Sequence, residues 1–327
     1  MTVLVTGGAG YIGSQTVFAL RDAGEAVVVL DDLSTGDAAA VPAGVTLIRG
    51  DVADAALVTR LIEEHAIKEV IHFAARISAP DSVADPLGYY LANTVKTHAL
   101  LQAALRAGVR RLVFSSTAAV YGLAPPTPTP ETAPLDPASP YGASKAMVER
   151  ILADAAAASD FRYVALRYFN VAGADPSSRT GQRSPLVSSL VAVAVKAALG
   201  LRPGLEVFGT DYPTRDGTGE RDYIHVADLA EAHLAALRHL RRSDDSLTLN
   251  CGYGHGFTVR EAIDAVRRVS GREFPVKEAS RRPGDPYASV ADASAILRVL
   301  DWRPRFDDLE TIVDHALRWE SRSLGLR

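Results

Sequence analysis

Short, nearly continuous apolar runs recur through the first half of the chain, each followed by a longer segment in which apolar positions return every three or four residues. The short runs, at 2–6, 26–30, 45–48, 69–73, 111–115 and 163–167, read as buried strands. The longer segments, at 14–23, 54–65, 87–107 and 141–159, read as amphipathic helices. This alternation predicts an α/β chain built on a Rossmann-type doubly wound parallel sheet with helices on both faces. Several strands end in small or polar residues, at the edge where open sheets of this class place their ligands.

Between 125 and 140 the chain holds seven prolines, so it reads as a stiff surface loop. At 173–185 Gly, Pro and Ser accumulate and the alternation stops, which puts a domain boundary there: 1–172, then 173–327. Beyond it the pattern predicts a helix at 186–199, a strand at 205–208, a polar loop at 210–220 and a strand at 221–226. Asp228 reads as the N-cap of a helix at 229–240. A strand at 246–250, a helix at 259–269, a strand at 274–277 and helices around Ala295 and Ile312 complete a smaller mixed α/β C-terminal substrate domain. A segment near 222–250 is expected to return to the first domain.

Composition narrows the function classes. With 327 residues, 47 % apolar and 23 % charged, the chain is an ordinary globular protein. A formal charge of −4 gives no electrostatic footprint for nucleic acid. A single cysteine, Cys251, forbids an intrachain disulfide and suits a reducing cytoplasm. A strand begins at once without a basic or apolar leader, and the most apolar helical stretch, 186–199, is broken by Ser188, Ser189 and Lys196. The expectation is a cytoplasmic protein with neither signal peptide nor membrane span.

The candidate chemistry begins at Gly7. Gly8, Gly10 and Gly13 fit the dinucleotide fingerprint, and the helix they open offers unpaired N–H groups and a partial positive charge to a pyrophosphate. A glycine-rich turn without a ligand is the plainer alternative. Asp31 ends the next strand, where an acid accepts hydrogen bonds from ribose hydroxyls and repels a 2′-phosphate, and no Lys or Arg follows in 32–36; NAD is favoured over NADP. Tyr141 and Lys145 share a helix face at i and i+4, where an ammonium can stabilise a phenolate for proton exchange with a sugar hydroxyl. By itself that spacing is equally that of two surface residues. Strand alternation puts the hydroxyls of Ser115 and Thr117 on one face of the preceding strand.

Together these residues resemble the extended short-chain dehydrogenase/reductase superfamily, and more closely the UDP-glucose 4-epimerases. The resemblance covers nearly the whole chain. It rests on 3–14, His72-Phe73-Ala74-Ala75, Ser115-Ser116-Thr117, Val120-Tyr121-Gly122 and 166–170. Its more specific part is 208–214, Asp216-Gly217-Thr218-Gly219 with 221–226, and 281–285. It implies interconversion of UDP-glucose and UDP-galactose by NAD-mediated oxidation and re-reduction at sugar C4, with NAD retained through the cycle and no metal. Tyr141 would be the base, Lys145 would lower its pKa and hold the nicotinamide ribose, and Thr117 would bond the 4-oxygen. Gly7, Gly10, Tyr11, Ile12, Gly13, Asp31, Asp32, Leu33 and Ser34 would contact the cofactor. So would Asp51, Val52, Phe73, Ala74, Ala75, Asn93, Ser115, Tyr141, Lys145 and Tyr168. Thr117, Tyr141, Phe169, Asn170, Ser189, Leu190, Glu206 and Phe208 would meet the UDP-sugar. Arg221, Tyr223, Val259, Arg282, Asp285 and Ser289 would join them, the two arginines facing the diphosphate.

The departures are informative. Ile77 stands where many family members carry Lys, Ser189 where they carry Asn, and Thr117 keeps the hydroxyl of the commoner Ser. Ser289 occupies a gate position held by Tyr in some epimerases, leaving room for a 2-N-acetyl group. Ala118 and Ala119 follow Thr117 where a 4,6-dehydratase carries an Asp-Glu pair, and no motif marks a UDP-glucuronate decarboxylase. A UDP-pentose or UDP-uronate 4-epimerase would use the same machinery. A dinucleotide-sensing regulator is the non-enzyme alternative. The family habit is a homodimer built on two helices, here 87–107 and 141–159, with Ala153, Ala155, Ala156, Ala157 and Ala158 offering close packing.

Overall fold

A computed structural model of the chain describes residues 1–123, 125–184, 189–282, 284–323 and 325. The order begins β1 (Thr2–Thr6), α1 (Tyr11–Asp22), β2 (Ala26–Asp31), β3 (Thr46–Arg49), α2 (Ala55–Glu64) and β4 (Ile67–His72). Two short helices, α3 (Ala79–Ala84) and α4 (Pro86–Tyr89), lead through a π-helical turn at Tyr90–Val95 into α5 (Lys96–Arg106). Then come β5 (Arg111–Thr117), α6 (Pro140–Ala158), β6 (Arg162–Tyr168), β7 (Asn170–Ala172), α7 (Leu190–Ala198) and β8 (Leu205–Phe208). The chain continues through β9 (Glu220–Arg221), β10 (Tyr223–His225), α8 (Val226–Arg242), β11 (Leu247–Cys251) and β12 (Phe257–Thr258). It closes with α9 (Val259–Ser270), β13 (Val276–Ala279), β14 (Ala288–Ser289), α10 (Ser294–Val299) and α11 (Leu309–Ser323).

Seven strands pair in the order β11-β6-β5-β4-β1-β2-β3, every pair parallel. Alternation along each strand sorts the core into two layers. Val3 and Val5 face Val17 and Leu20 of α1 and Leu229 and Leu234 of α8, whereas Leu4 faces Leu61, Leu100, Val148 and Leu152 of α2, α5 and α6. Each such side chain stabilises the fold by about 1.5–3 kcal/mol through burial. Because β1 lies between β2 and β4, the strand order reverses there, and a crevice opens beyond the C-terminal ends of β1 and β4.

The rest of the chain builds smaller sheets, β10-β7, β12-β9-β14 and β13-β8, over a third apolar layer shared by α7, α9 and α11. β11 pairs with β6 in parallel, and α8 packs on α1, so residues 226–251 belong to the large sheet and its helices.

Local structure departs from the sequence expectation in four places. α3 was not expected; Ser78 caps it through Asp81 N–H, but six residues are too few to show a helical period. The single helix expected at 87–107 is three pieces, because Asp85 caps α4 at Pro86 and the ladder then widens at Tyr90–Val95. Asp228 is not a cap: His225 takes that place, its Nδ1 accepting from Ala227 N–H, while the fully buried Asp228 accepts from Arg305 N, Phe306 N and Tyr253 Oη. The strand expected at 221–226 breaks at Asp222, whose carboxylate accepts from the backbone of Tyr253, Gly254 and Ala291. Of the helix expected at 186–199, residues 186–188 lie outside the described residues.

Candidate active site

The glycine turn is built by close approach. Gly7 has φ +71°, and a Cβ there would sit 2.6 Å from Ala74 N; a Cβ on Gly13 would sit 2.2 Å from Gly7 O. Gly10 meets only Gly7 O at 3.3 Å and otherwise faces open space. It is also the N-cap of α1 and brings no side-chain acceptor, so the N–H groups of Tyr11, Ile12 and Gly13 point into the crevice uncapped. The donors therefore suit a pyrophosphate. Tyr11 turns its hydroxyl away to donate to Gly173 O at 2.6 Å.

At the end of β2, Asp31 accepts from Ala9 N and Leu33 N, both at 2.9 Å, leaving lone pairs for ribose hydroxyls. Burial raises its pKa against the pull of those two bonds. Asp32 accepts from the Ser34 backbone at 2.8 Å and shapes the loop around Leu33, which has φ +59°. Asp51 pairs with Lys96 at 2.5 Å. Its partial burial raises the carboxyl pKa, but Lys96 and Ala53 N–H outweigh that and the net shift is downward. Buried Val52 lies beside it. Phe73 N–H donates to Thr6 O, setting Phe73 and Ala74 directly against Gly7 of the glycine turn, with Ala75 next in the chain. Asn93 accepts from Arg76 N at 2.8 Å and donates to Arg76 O and Ser144 Oγ, both at 3.0 Å, tying the β4 loop to α6.

The reactive cluster forms where α6 meets the end of β5. Ser139 caps the helix, and a Cβ on Gly142 would sit 2.5 Å from Ala119 O, so only glycine lets α6 come this close. That approach brings the Tyr141 phenol beside the Thr117 side chain, whose pull on the phenol pKa is downward. Lys145 Nζ donates to Ser115 O at 2.8 Å and lies 4.8 Å from the centre of the Phe114 ring. Ser115 Oγ bonds the Tyr168 hydroxyl on the opposite face of the sheet. Burial pulls Lys145 down to about 7, opposed by Glu149. Burial likewise pushes the Tyr141 phenol up, opposed by Thr117. Burial therefore opposes the phenolate that the Tyr141–Lys145 spacing favours.

Tyr168 is followed by Phe169, packed beside Val120 and Tyr121, and Asn170 then opens on a cleft of about 710 Å³. Ser189, Leu190, Glu206 and Phe208 line the cleft. Arg221, Tyr223, Val259, Arg282 and Asp285 line it as well. The Arg282 guanidinium lies 4.1 Å over the Phe208 ring, and Arg221 donates to Glu220 O. Among the described residues neither arginine has a carboxylate partner, so both remain available to an anion. Ser289 sits in β14 opposite Arg221 of β9, outside the cleft wall. Sequence reading missed Arg202, Tyr212 and Lys277, which also line the cleft; the parallel pairing of Glu206 with Lys277 in β8 and β13 joins residues with no local signal. Lys96 was missed too, although it stands three residues after Asn93 on the same helical segment.

A family model described as NAD dependent epimerase/dehydratase family matches residues 3–252. The chain belongs to this family. The UDP-glucose 4-epimerase of Azospirillum brasilense is 55 % identical over 98 % of this chain and 92 % of its own length. A family crystal structure from Stenotrophomonas maltophila, a UDP-glucose 4-epimerase with bound NAD and formylated UDP-arabinopyranose, superposes with a TM-score of 0.96. It is 42 % identical and covers 99 % of both chains. The UDP-Glc/GlcNAc 4-epimerase of Campylobacter jejuni is 44 % identical, with a TM-score of 0.85 over 98 % of this chain and 99 % of that one. The family cofactor, NAD, suits the uncapped helix, the Asp31 carboxylate and the space above Gly10.

Proposed function

We propose that this protein interconverts UDP-glucose and UDP-galactose by oxidising sugar C4 and re-reducing it from the opposite face. The observation that carries the reading is the close approach of α6 to the end of β5, which sets Tyr141 near Thr117 with Lys145 held on Ser115 O, two residues of strand away from a cleft presenting Arg221 and Arg282. NAD bound in the crevice supplies the acceptor and return donor for the hydride. Tyr141 exchanges the 4-hydroxyl proton, Thr117 holds the 4-oxygen beside it, and Lys145 steadies the phenolate with its charge. Arg221 and Arg282 hold the diphosphate, so the sugar turns over while its nucleotide stays anchored. The cofactor rests on the turn from Gly7 to Gly13, on Asp31 to Ser34, and on Asp51, Val52, Phe73, Ala74 and Tyr168. Residues 1–172 with the return through β11 form the cofactor half, and 173–327 otherwise form the sugar-nucleotide half.

A second reading adds the N-acetylated pair. The 44 % identity to an enzyme named UDP-Glc/GlcNAc 4-epimerase favours it. We place the enzyme in the cytoplasm as a homodimer. Leu87, Leu91 and Val95 form an i, i+4, i+8 stripe 80 %, 54 % and 54 % exposed, beside Met147 of α6 at 46 %, and a second copy would cover it. The alanines of α6 divide: Ala155 and Ala156 pack on the core, while Ala153, Ala157 and Ala158 stay exposed.

The test incubates purified protein, without added NAD, with UDP-glucose, UDP-galactose or their N-acetylated counterparts and separates the nucleotide sugars by anion exchange. Both unmodified sugars should converge on one mixture. A stoichiometric requirement for added NAD overturns the reading, and inert acetylated sugars remove the second.

A further inference from the structure

Glu149 is two turns beyond Tyr141 and one beyond Lys145 on α6, at i, i+4 and i+8, and it is buried. Its carboxylate takes a hydrogen bond from Ser116 Oγ and pairs with Arg167, at 3.0 Å to Nε and 2.6 Å to Nη2. Ser116 and Arg167 are register partners on β5 and β6, so one carboxylate spans both strands. Its neighbours on β5 are Ser115, whose carbonyl holds Lys145, and Thr117, which meets Tyr141. Arg167 goes on to Tyr121 Oη at 2.9 Å and Glu131 O at 3.2 Å, and Tyr121 donates to Asn250 of β11. The site chemistry described above gives no role to Ser116, Glu149, Arg167, Tyr121 or Asn250.

A buried ion pair is weak evidence of stabilisation, because desolvation offsets most of the attraction. Its position is more telling. Lys145 is buried too, and among the described residues it has a single hydrogen bond, to a neutral carbonyl. The titratable groups around it are Tyr141 and Glu149 on its own helix, His72 of β4, Tyr168 and Arg167 of β6. Burial holds His72 neutral, pulling it down to about 3. Glu149 is therefore the anion nearest the ammonium along α6, and Arg167 is the cation that would face it if that anion were removed.

We propose that Glu149 is a positioning residue for the Tyr141–Lys145 couple: clamped to Ser116 and Arg167, it sets the height of α6 on the ends of β5 and β6 and places its negative charge one helical turn from Lys145. This rests on the epimerase reading of that couple. Reach and charge are separable, because aspartate keeps the charge with a shorter arm and glutamine keeps the arm without the charge.

The experiment measures kcat and KM for UDP-galactose across pH in the NAD-loaded wild type, Glu149→Gln and Glu149→Asp, with thermal melts of each. Without the carboxylate the Lys145 ammonium is less favoured, so in Glu149→Gln the alkaline limb of kcat moves to lower pH by about one unit. In Glu149→Asp that limb stays in place while kcat falls by up to about 10²-fold from misplacement. KM stays near the wild-type value in both. A folded Glu149→Gln protein with wild-type kcat and an unmoved limb overturns the proposal. If Glu149→Gln does not fold, Ser116→Ala decides: kcat several-fold lower at constant KM supports the clamp, and unchanged kcat overturns it. A wild type inactive on UDP-sugars refutes the epimerase reading instead.

Discussion

The glycine turn and the sugar-nucleotide cleft solve similar problems, holding a phosphate-bearing ligand, by opposite means. The turn is local: Gly7, Gly10, Gly13 and Asp31 stand within one β-α-β unit and bind through backbone N–H groups and one carboxylate. The cleft is assembled from segments as far apart as Asn170 and Asp285, and it offers guanidinium side chains. Backbone recognition needs the chain to pack closely on itself and has no tolerance for an added Cβ. Side-chain recognition tolerates changes of backbone but depends on strand pairings such as β8 with β13 and β9 with β14 to bring its parts together.

Four outcomes would sharpen or break that contrast. Where the two regions meet, Tyr141→Phe should lower kcat by about 10³–10⁴-fold while UDP binding, followed by calorimetry, and bound NAD stay near wild type; a dinucleotide sensor would be indifferent to it. Gly13→Ala should empty the protein of NAD and lower its melting temperature, because the new Cβ falls 2.2 Å from Gly7 O; perchloric acid extraction and absorbance give the NAD content. If instead the alanine protein keeps its NAD, the turn does not recognise by close approach. Arg282→Ala should raise KM for UDP-galactose by about 10–100-fold, since it removes a charge-assisted contact, and leave NAD content untouched. Equal loss of NAD would mean the two regions are not separable.

The smallest effect is a pH slope. Burial pulls the imidazoles of His72, at the crevice, and His225, beneath α11, down to about 3, and both stay neutral in the folded state. Unfolded histidines bind protons near pH 6.5, so the unfolded state takes up more protons and stability is lost as pH falls from about 6.5 toward 3. Each histidine contributes a slope of about 1.4 kcal/mol per pH unit in that window. Chemical denaturation at pH 7.5, 6 and 5 should show it, with the loss of stability steeper between pH 6 and 5 than between 7.5 and 6, and His72→Gln should lessen the slope. A wild-type slope no steeper than that of His72→Gln would contradict the buried neutral state.

How much of this was legible followed contact range. The strands of the large sheet and α6 stood out because each is apolar, periodic or capped within its own residues. α3 was hidden by shortness, and Asp228 misled because a good capping residue type had been taken inward to bind Arg305 and Phe306 backbone from 77 and 78 positions away. Asp222 broke a strand for the same reason. The residues of the cleft wall that went unnoticed, Arg202, Tyr212 and Lys277, are polar surface types whose neighbourhood exists only after β8 and β13 pair.

From sequence alone came the doubly wound sheet and the glycine fingerprint, because strand period, helix period and glycine spacing are local properties of the chain. The Tyr141, Lys145 and Thr117 set came from the resemblance of their motifs to a family. Only the tertiary structure decided that Gly142 brings α6 against Ala119, that burial opposes the phenolate, and that Glu149 bridges Ser116 and Arg167 beneath the site. Those are matters of desolvation and of the distance between elements far apart in the chain. No periodicity records either quantity.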